Sequence, residues 1–179
     1  MKKKKNSPKE YLFVDGYNII NSWGSLKEKS RISMEEARLE LIEILSEYHH
    51  YSGIEITVVF DAHMVKGNNG KEDFYKGVSI VFTKENETAD NYIERTLDSI
   101  GRIKRVRVAT SDWMEQQIVL SRGGTRISAK ELEVEIYNEK NMIKRRRKTS
   151  NQKNNIHIGR LDEKNLNKLY NWNKRKGQD

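Results

Sequence analysis

Four aspartates stand at or just after the ends of predicted structural elements, and their carboxylates are the side chains best suited to chemistry: Asp15, Asp61, Asp90 and Asp112. Asp15 directly follows the apolar run Tyr11–Val14, which is typical of a strand buried on both faces of a sheet. A carboxylate at the end of such a strand costs free energy to place, because it gives up contact with water. Its position therefore indicates a function.

The elements that position these aspartates are predicted to alternate between strands and helices. Strands are expected at about 10–15, 54–61, 78–82 and 105–110, with a short extended piece at 125–127. Helices are expected to begin at Ser33 and Ser128, each of which opens a capping box, and near Asp90 and Asp112. The polar segments between them are expected to be loops, at 16–32 and 62–77. This order predicts an α/β fold of three layers, with a mainly parallel sheet between helices.

The predicted topology brings the four aspartates to one edge of the sheet. Ligands of such sheets bind outside the carboxyl ends of the strands. Four carboxylates close together repel one another unless a cation neutralises them, and oxygen ligands favour Mg²⁺ or Mn²⁺ over zinc. A divalent ion held there can activate water and stabilise charge on a phosphodiester. The chemistry predicted for this edge is metal-assisted phosphodiester hydrolysis.

Each of these residues also has a purely structural interpretation. Asp15 before a glycine can stabilise a turn, Asp61 can cap the next segment, Asp90 can complement a helix dipole, and Asp112 can be an N-cap. Asn18 either orients a ligand or closes an Asx turn. The sequence leaves these alternatives open.

Two further polar residues near the predicted edge have less distinctive surroundings. Arg122, beside Gly123 and Gly124, is a candidate phosphate contact or a surface residue. Glu87 is either a spare metal ligand or a surface acid.

Charge is distributed unevenly along the chain. The formal net charge is +8, but residues 1–9 carry +5, residues 10–139 carry −7 and residues 140–179 carry +10. An acidic body between two basic ends suggests a negative catalytic centre with separate contacts for a polyanion, although basic tails are also common as solubilising ends. The cluster Arg145, Arg146 and Arg147 is the candidate RNA contact in the last segment.

Several classes of protein are excluded or lose support. There is no cysteine, which excludes disulfides, cysteine-based zinc sites and cysteine nucleophiles. The sequence has no run long enough to span a membrane, and no phosphate-binding glycine loop or serine-hydrolase elbow. We therefore expect a cytoplasmic protein without a membrane partner or a small-molecule cofactor.

Five segments, in order, resemble the YacP-like branch of the NYN domains, which are relatives of PIN-domain nucleases: 14–20, 59–63, 87–90, 109–112 and 123–132. The resemblance spans roughly residues 10–147. It implies a PIN-like α/β/α fold and a metal-dependent endoribonuclease. It also implies cleavage of messenger RNA on the translating ribosome, near the decoding site. The acidic residues of the family fall on Asp15, Asp61, Asp90 and Asp112.

The sequence thus predicts a cytoplasmic endoribonuclease that uses Mg²⁺ or Mn²⁺ and acts on ribosome-bound mRNA. Its predicted catalytic residues and metal ligands are Asp15, Asp61, Asp90 and Asp112, and its predicted substrate contacts are Asn18, Arg122, Arg145, Arg146 and Arg147. We expect a basic leader at 1–9 without order of its own, a nuclease domain at 10–147, and a basic extension with a short helix at 148–179. The alternative is a non-catalytic module that binds RNA or the ribosome.

Overall fold

The apolar run that precedes Asp15 forms the strand on which the sheet is built. The protein is described by a computed structural model that covers residues 10–62, 70–100, 105–111, 117, 120 and 124–149. In it, β1 (Glu10–Asp15) pairs in parallel with β2 (Glu55–Phe60) on one side and with β5 (Arg105–Ala109) on the other. Because β1 has neighbours on both sides and helices on both faces, its side chains are apolar without alternation.

Six strands make up the sheet in the described residues, in the order β3-β4-β2-β1-β5-β6. The remaining strands are β3 (Glu72–Tyr75), β4 (Val78–Phe82) and β6 (Thr125–Ile127). All neighbours are parallel except β3, which runs antiparallel to β4 at the edge. This confirms the predicted α/β class with a mainly parallel sheet.

Helices cover both faces of the sheet, so the fold has three layers. They are α1 (Gly16–Ser22), α2 (Gly24–Ile32), α3 (Met34–Ser52), α4 (Ala89–Ile100) and α5, which spans 129–149. Leu12 and Val14 pack in a core cluster with residues of α1, α2, α3 and α5. Phe13, which faces the opposite way, packs in a second cluster with residues of α4.

Both predicted capping boxes are present. The hydroxyl of Ser33 accepts the backbone N–H of Glu36 at 3.2 Å at the start of α3, which ends at Gly53 in the left-handed conformation. At the start of α5, the hydroxyl of Ser128 accepts the N–H of Glu131 at 3.2 Å, and the Glu131 carboxylate accepts the N–H of Ser128 at 2.8 Å. Local sequence therefore specified these helix starts correctly.

The two segments that the sequence analysis predicted as loops contain helices or a strand, so these predictions are wrong. Residues 16–32 form α1 and α2, because their buried side chains, among them Ile20, Trp23 and Leu26, pack on the sheet while the lysines face solvent. The segment 62–77 contains β3, whose four residues are all exposed. An edge strand with no buried face has no alternating pattern by which sequence could reveal it.

The chain divides into two compact units, residues 1–139 and 140–179. Only residues 140–149 of the second unit are described, so the predicted leader at 1–9 and the predicted helix beyond residue 161 lie outside the described part. The domain boundaries at 9/10 and 147/148 stay predictions. Among the described helices, none is both long and apolar enough to cross a bilayer.

Candidate active site

Asp15 is the last residue of β1 and also the N-cap of α1. Its carboxylate oxygen Oδ1 accepts the backbone N–H of Asn18 at 3.0 Å, so the strand passes directly into a helix. Gly16 makes this close passage feasible, since a Cβ on that residue would lie 2.2 Å from the Phe60 ring. The structural role and the candidate chemical role of Asp15 therefore coexist, and its side chain is half-buried at the sheet edge.

Asp61 immediately follows β2, and its Oδ1 accepts the N–H of Ala89, the first residue of α4. The buried Thr83 fixes the backbone around it: its N–H donates to the Phe60 carbonyl at 3.0 Å, and its hydroxyl accepts the Ala62 N–H at 3.0 Å. Asp61 is thus held at the carboxyl end of β2 and tied to the start of α4.

Asp90 is held at the same end of β2 by the hydrogen bond between Ala89 and Asp61. It is the second residue of α4 and is half-buried. Because Asp61 binds the N–H of the preceding residue, Asp90 lies on the helical turn held against the end of β2. The parallel pairing of β1 with β2, in which Asp15 is opposite Val59, places Asp15 at the neighbouring strand end. The structure therefore places Asp15, Asp61 and Asp90 at the carboxyl-end edge of the sheet, and their joint role as metal ligands stays a prediction.

Asn18 connects this edge to the strand on the other side of β1. Its side-chain oxygen accepts the N–H of Ser111 at 2.8 Å, just beyond the end of β5. The Asx-type bond considered in the sequence analysis is made by Asp15 instead, with the Asn18 backbone as donor. Asp112 and Arg122 lie outside the described residues, and the role of Asn18 in substrate binding stays a prediction.

Glu87 has a structural partner. Its carboxylate accepts a hydrogen bond from Arg95 Nη2 at 2.8 Å and lies 3.4 Å from the Lys84 backbone nitrogen. These contacts favour the interpretation of Glu87 as an ion-paired acid that fixes the turn before α4.

Tyr17 and Arg38 are additional polar residues at this edge that the sequence analysis did not select. Tyr17 is buried, its ring packs edge-on against Phe60 with centroids 5.2 Å apart, and its hydroxyl accepts a hydrogen bond from Arg38 Nη1 at 3.1 Å. Burial raises the pKa of the Tyr17 hydroxyl, and the negative charge of Asp61 adds to the increase. The sequence gave no sign that Arg38 belongs to the site, because arginines are common on the solvent-facing sides of helices.

The predicted RNA contacts Arg145, Arg146 and Arg147 are exposed residues of α5 in the second unit. Their exposure leaves the guanidinium groups accessible to a polyanion. Their function stays a prediction.

The carboxylate oxygens at this edge are the type of ligand that a hard divalent ion prefers. Carboxylate oxygens are the ligands that Mg²⁺ and Mn²⁺ prefer, and the second oxygen of Asp61 accepts no hydrogen bond in the part of the chain that the structure describes. Within that same part, which excludes Asp112, no three acidic or histidine side chains are grouped closely enough to hold a metal. The described carboxylates alone thus make an incomplete site.

Comparison of the sequence with protein-family models identifies the family of this chain. The sequence model of the YacP-like NYN domain matches residues 12–174. The chain belongs to the YacP-like NYN domain family. Protein YacP of Bacillus subtilis (strain 168), described as uncharacterized, is 44% identical over 146 residues, which cover 80% of this chain and 85% of YacP. The resemblance inferred from the sequence is confirmed.

Solved structures agree with the family membership. The crystal structure of Rae1 (YacP) from Bacillus subtilis matches with a TM-score of 0.69 at 39% identity, covering 92% of this chain and 94% of Rae1. A form of Rae1 with one tryptophan replaced by leucine matches with a TM-score of 0.67 at 41% identity, covering 76% of this chain and 80% of that one. Membership in the YacP-like NYN family supports a nuclease-type, RNA-related function.

Proposed function

We propose that this protein is a metal-dependent endoribonuclease that hydrolyses RNA phosphodiesters, with mRNA on the translating ribosome as its substrate. The observation that carries the proposal is the bond from Ala89 N–H to Asp61. It holds the turn that carries Asp90 at the end of β2, next to the end of β1 where Asp15 lies. Carboxylates that share one edge of the sheet repel a polyanion, so a module that only binds RNA has no use for them.

The four aspartates are the groups that would hold the ion. A bound Mg²⁺ or Mn²⁺ supplies an activated water and stabilises negative charge on the phosphodiester. Asp15 is fixed for this role because it caps α1, and Asp61 is fixed because it accepts the first N–H of α4. The positive ends of these two helices partly offset the repulsion between the carboxylates. Asn18 keeps the segment after β5, which leads towards Asp112, alongside α1.

The ribosome enters the proposal through the family resemblance and through charge. The basic ends of the sequence, +5 in residues 1–9 and +10 in residues 140–179, suit a partner made largely of RNA. A role in mRNA decay in the cytoplasm follows from that partner.

The test compares wild type with Asp15→Asn and Asp90→Asn on translating ribosomes that carry a mixed mRNA pool. New RNA 5′ ends are mapped with Mg²⁺, with Mn²⁺ and with a chelator. Asp98→Asn is the matched control, because Asp98 is an exposed residue two turns further along α4. We expect metal-dependent cuts with wild type and Asp98→Asn, and a loss of at least a hundredfold in both site variants, which is about 3 kcal/mol of transition-state stabilisation.

The pattern of cuts separates the parts of the proposal. Cuts that also occur on ribosome-free RNA retain the nuclease and remove the ribosome from the mechanism. Ribosome binding without any cut contradicts the nuclease and leaves the non-catalytic binding module.

A further inference from the structure

Arg38 lies at the same sheet edge as the carboxylates because of the direction of α3. This helix leads through Gly53 into β2, so its last residues lie near the amino end of β2. A helix that connects parallel strands runs antiparallel to them, and its first residues lie at the carboxyl-end edge. Arg38 is on the second turn of α3 and is half-buried.

The guanidinium of Arg38 is fixed by a residue of the candidate active site. Its Nη1 donates to the Tyr17 hydroxyl at 3.1 Å. Tyr17 follows Asp15 by two residues and packs against Phe60, which precedes Asp61. Arg38 is therefore anchored beside the ends of β1 and β2.

The charge of Arg38 is not neutralised by a carboxylate in the described part of the chain. In that part, its side chain donates a hydrogen bond to Tyr17, which is uncharged. Three other cations of the first unit have carboxylate partners: Lys29 pairs with Glu40, Arg95 with Glu87, and Arg107 with Glu10 and Glu135. The absence of such a partner is notable because residues 10–139 carry a net charge of −7.

A phosphate is the anion that fits these observations. A guanidinium has five N–H donors in a planar fork that matches two phosphate oxygens, and one bond to Tyr17 leaves donors for such a pair. The neighbouring aspartates repel an approaching RNA strand, so a fixed cation beside them offsets part of that repulsion. Arg38 could otherwise serve only to hold Tyr17 in place, and the experiment distinguishes these roles.

We infer that Arg38, positioned by Tyr17, binds a backbone phosphate of the RNA strand next to the carboxylate edge. This inference rests on the proposed function, because it assigns a substrate contact to the same site. It makes Arg38 a substrate-binding residue and Tyr17 the residue that positions it.

The experiment measures binding of a single-stranded RNA oligonucleotide over a series of salt concentrations at constant Mg²⁺, in the Asp15→Asn background that prevents cleavage. Arg38→Gln, Arg38→Lys and Arg105→Gln are compared. Arg105→Gln removes the same charge at the first residue of β5, on the opposite edge of the sheet. We expect Arg38→Gln to flatten the slope of log K against log salt by about 0.7, the value for one phosphate contact on single strands. Arg38→Lys retains the slope, and Arg105→Gln leaves it unchanged.

A second measurement locates the contact. Oligonucleotides that each carry one neutral methylphosphonate linkage are bound to the Arg38-intact protein and to Arg38→Gln. One linkage should weaken binding to the intact protein by roughly tenfold, as expected for a lost charge-assisted hydrogen bond, and should have no effect with Arg38→Gln.

Three results would overturn the inference: no measurable RNA binding by the Arg38-intact protein, an unchanged slope in Arg38→Gln, or equal sensitivity of both proteins at every linkage. A lower melting temperature with an unchanged slope shows a structural role only. Cleavage by the protein with an intact Asp15 is scored separately. Cleavage together with an unchanged salt slope in Arg38→Gln supports the nuclease and contradicts the phosphate contact. No cleavage together with a flattened slope in Arg38→Gln supports the phosphate contact and contradicts the nuclease.

Discussion

Asp15 and Asp61 each combine a structural bond with a place at the candidate active site. Asp15 caps α1 through Asn18, and Asp61 binds the first N–H of α4 through Ala89. The two interpretations that the sequence left open, capping and metal binding, are therefore compatible in one side chain. Loss of activity in an alanine variant cannot distinguish them, because alanine removes both the cap and the charge.

Variants of Asp61 that differ in one property separate its two roles. Asp61→Ala should lower the free energy of unfolding by about 1 kcal/mol, the usual net contribution of one hydrogen bond, whereas Asp61→Asn keeps an acceptor and should be close to wild type. Both should lose RNA cleavage, since neither a methyl group nor a neutral amide supplies the negatively charged oxygen of the carboxylate. Urea unfolding and a cleavage assay on the same preparations measure this, and cleavage by stable Asp61→Asn would contradict the metal-ligand role.

At the scale of elements, one polar network connects two helices to two strands. Arg107 of β5 contacts the carboxylates of Glu10 of β1 at 2.6 Å and Glu135 of α5 at 2.9 Å. Tyr48 of α3 donates its hydroxyl to Glu135. Burial on its own raises the pKa of Glu135, but the hydrogen bonds from Arg107 and Tyr48 outweigh burial and leave the pKa lowered.

The network should make stability depend on pH in the acidic range. Because the folded-state pKa of Glu135 lies below the unfolded value, its contribution is present above the unfolded pKa and is lost as pH falls through the folded pKa. Glu135→Gln should cost about 1–2 kcal/mol at neutral pH, the low end for charged hydrogen bonds, since the Glu135 side chain is 34% exposed. The difference from wild type should shrink as pH falls below the ordinary glutamate pKa.

Urea unfolding between pH 7 and pH 3 checks this expectation. Glu133→Gln is the control on the same helix, because its pair with Lys130 is a surface i,i+3 contact worth about 0.2–0.5 kcal/mol. If Glu135→Gln lowers the free energy of unfolding by the same amount at every pH from 7 to 3, the ionised carboxylate is not the source of the stabilisation.

At the scale of the whole molecule, charge separates the acidic carboxylate edge from basic ends. Asp15, Asp61 and Asp90 lie in the unit that spans 1–139, whereas Arg145–Arg147 lie in the unit that spans 140–179. A protein built in this way can bind a polyanion through one part and cut it with another.

Neutralising Arg145–Arg147 with glutamine should weaken RNA binding and flatten its salt dependence. If each arginine contacts one phosphate, the slope should fall by about 2. The control replaces Lys27, Arg31 and Arg105, which are exposed cations of the first unit. Equal slopes for the two triple variants would assign the basic cluster to solubility, and cleavage at low salt should persist in both.

The sequence by itself determined where strands and helices start when a local signal was present. Asp15 and Asp61 were identified because each ends an apolar run, and the helix starts at Ser33 and Ser128 were identified because a capping box is contained within four residues. Family membership was also readable, since its motifs are short segments in a fixed order.

Only the tertiary structure decided which groups meet across distances in the chain. The bond between Asp61 and Ala89 joins residues 28 positions apart, and the contact between Tyr17 and Arg38 joins residues 21 positions apart. The exposed strand β3 and helices α1 and α2 were likewise specified by pairing and packing. Local patterns cannot encode such choices, because the partner that satisfies a polar group or covers an apolar face is fixed only when the chain has folded.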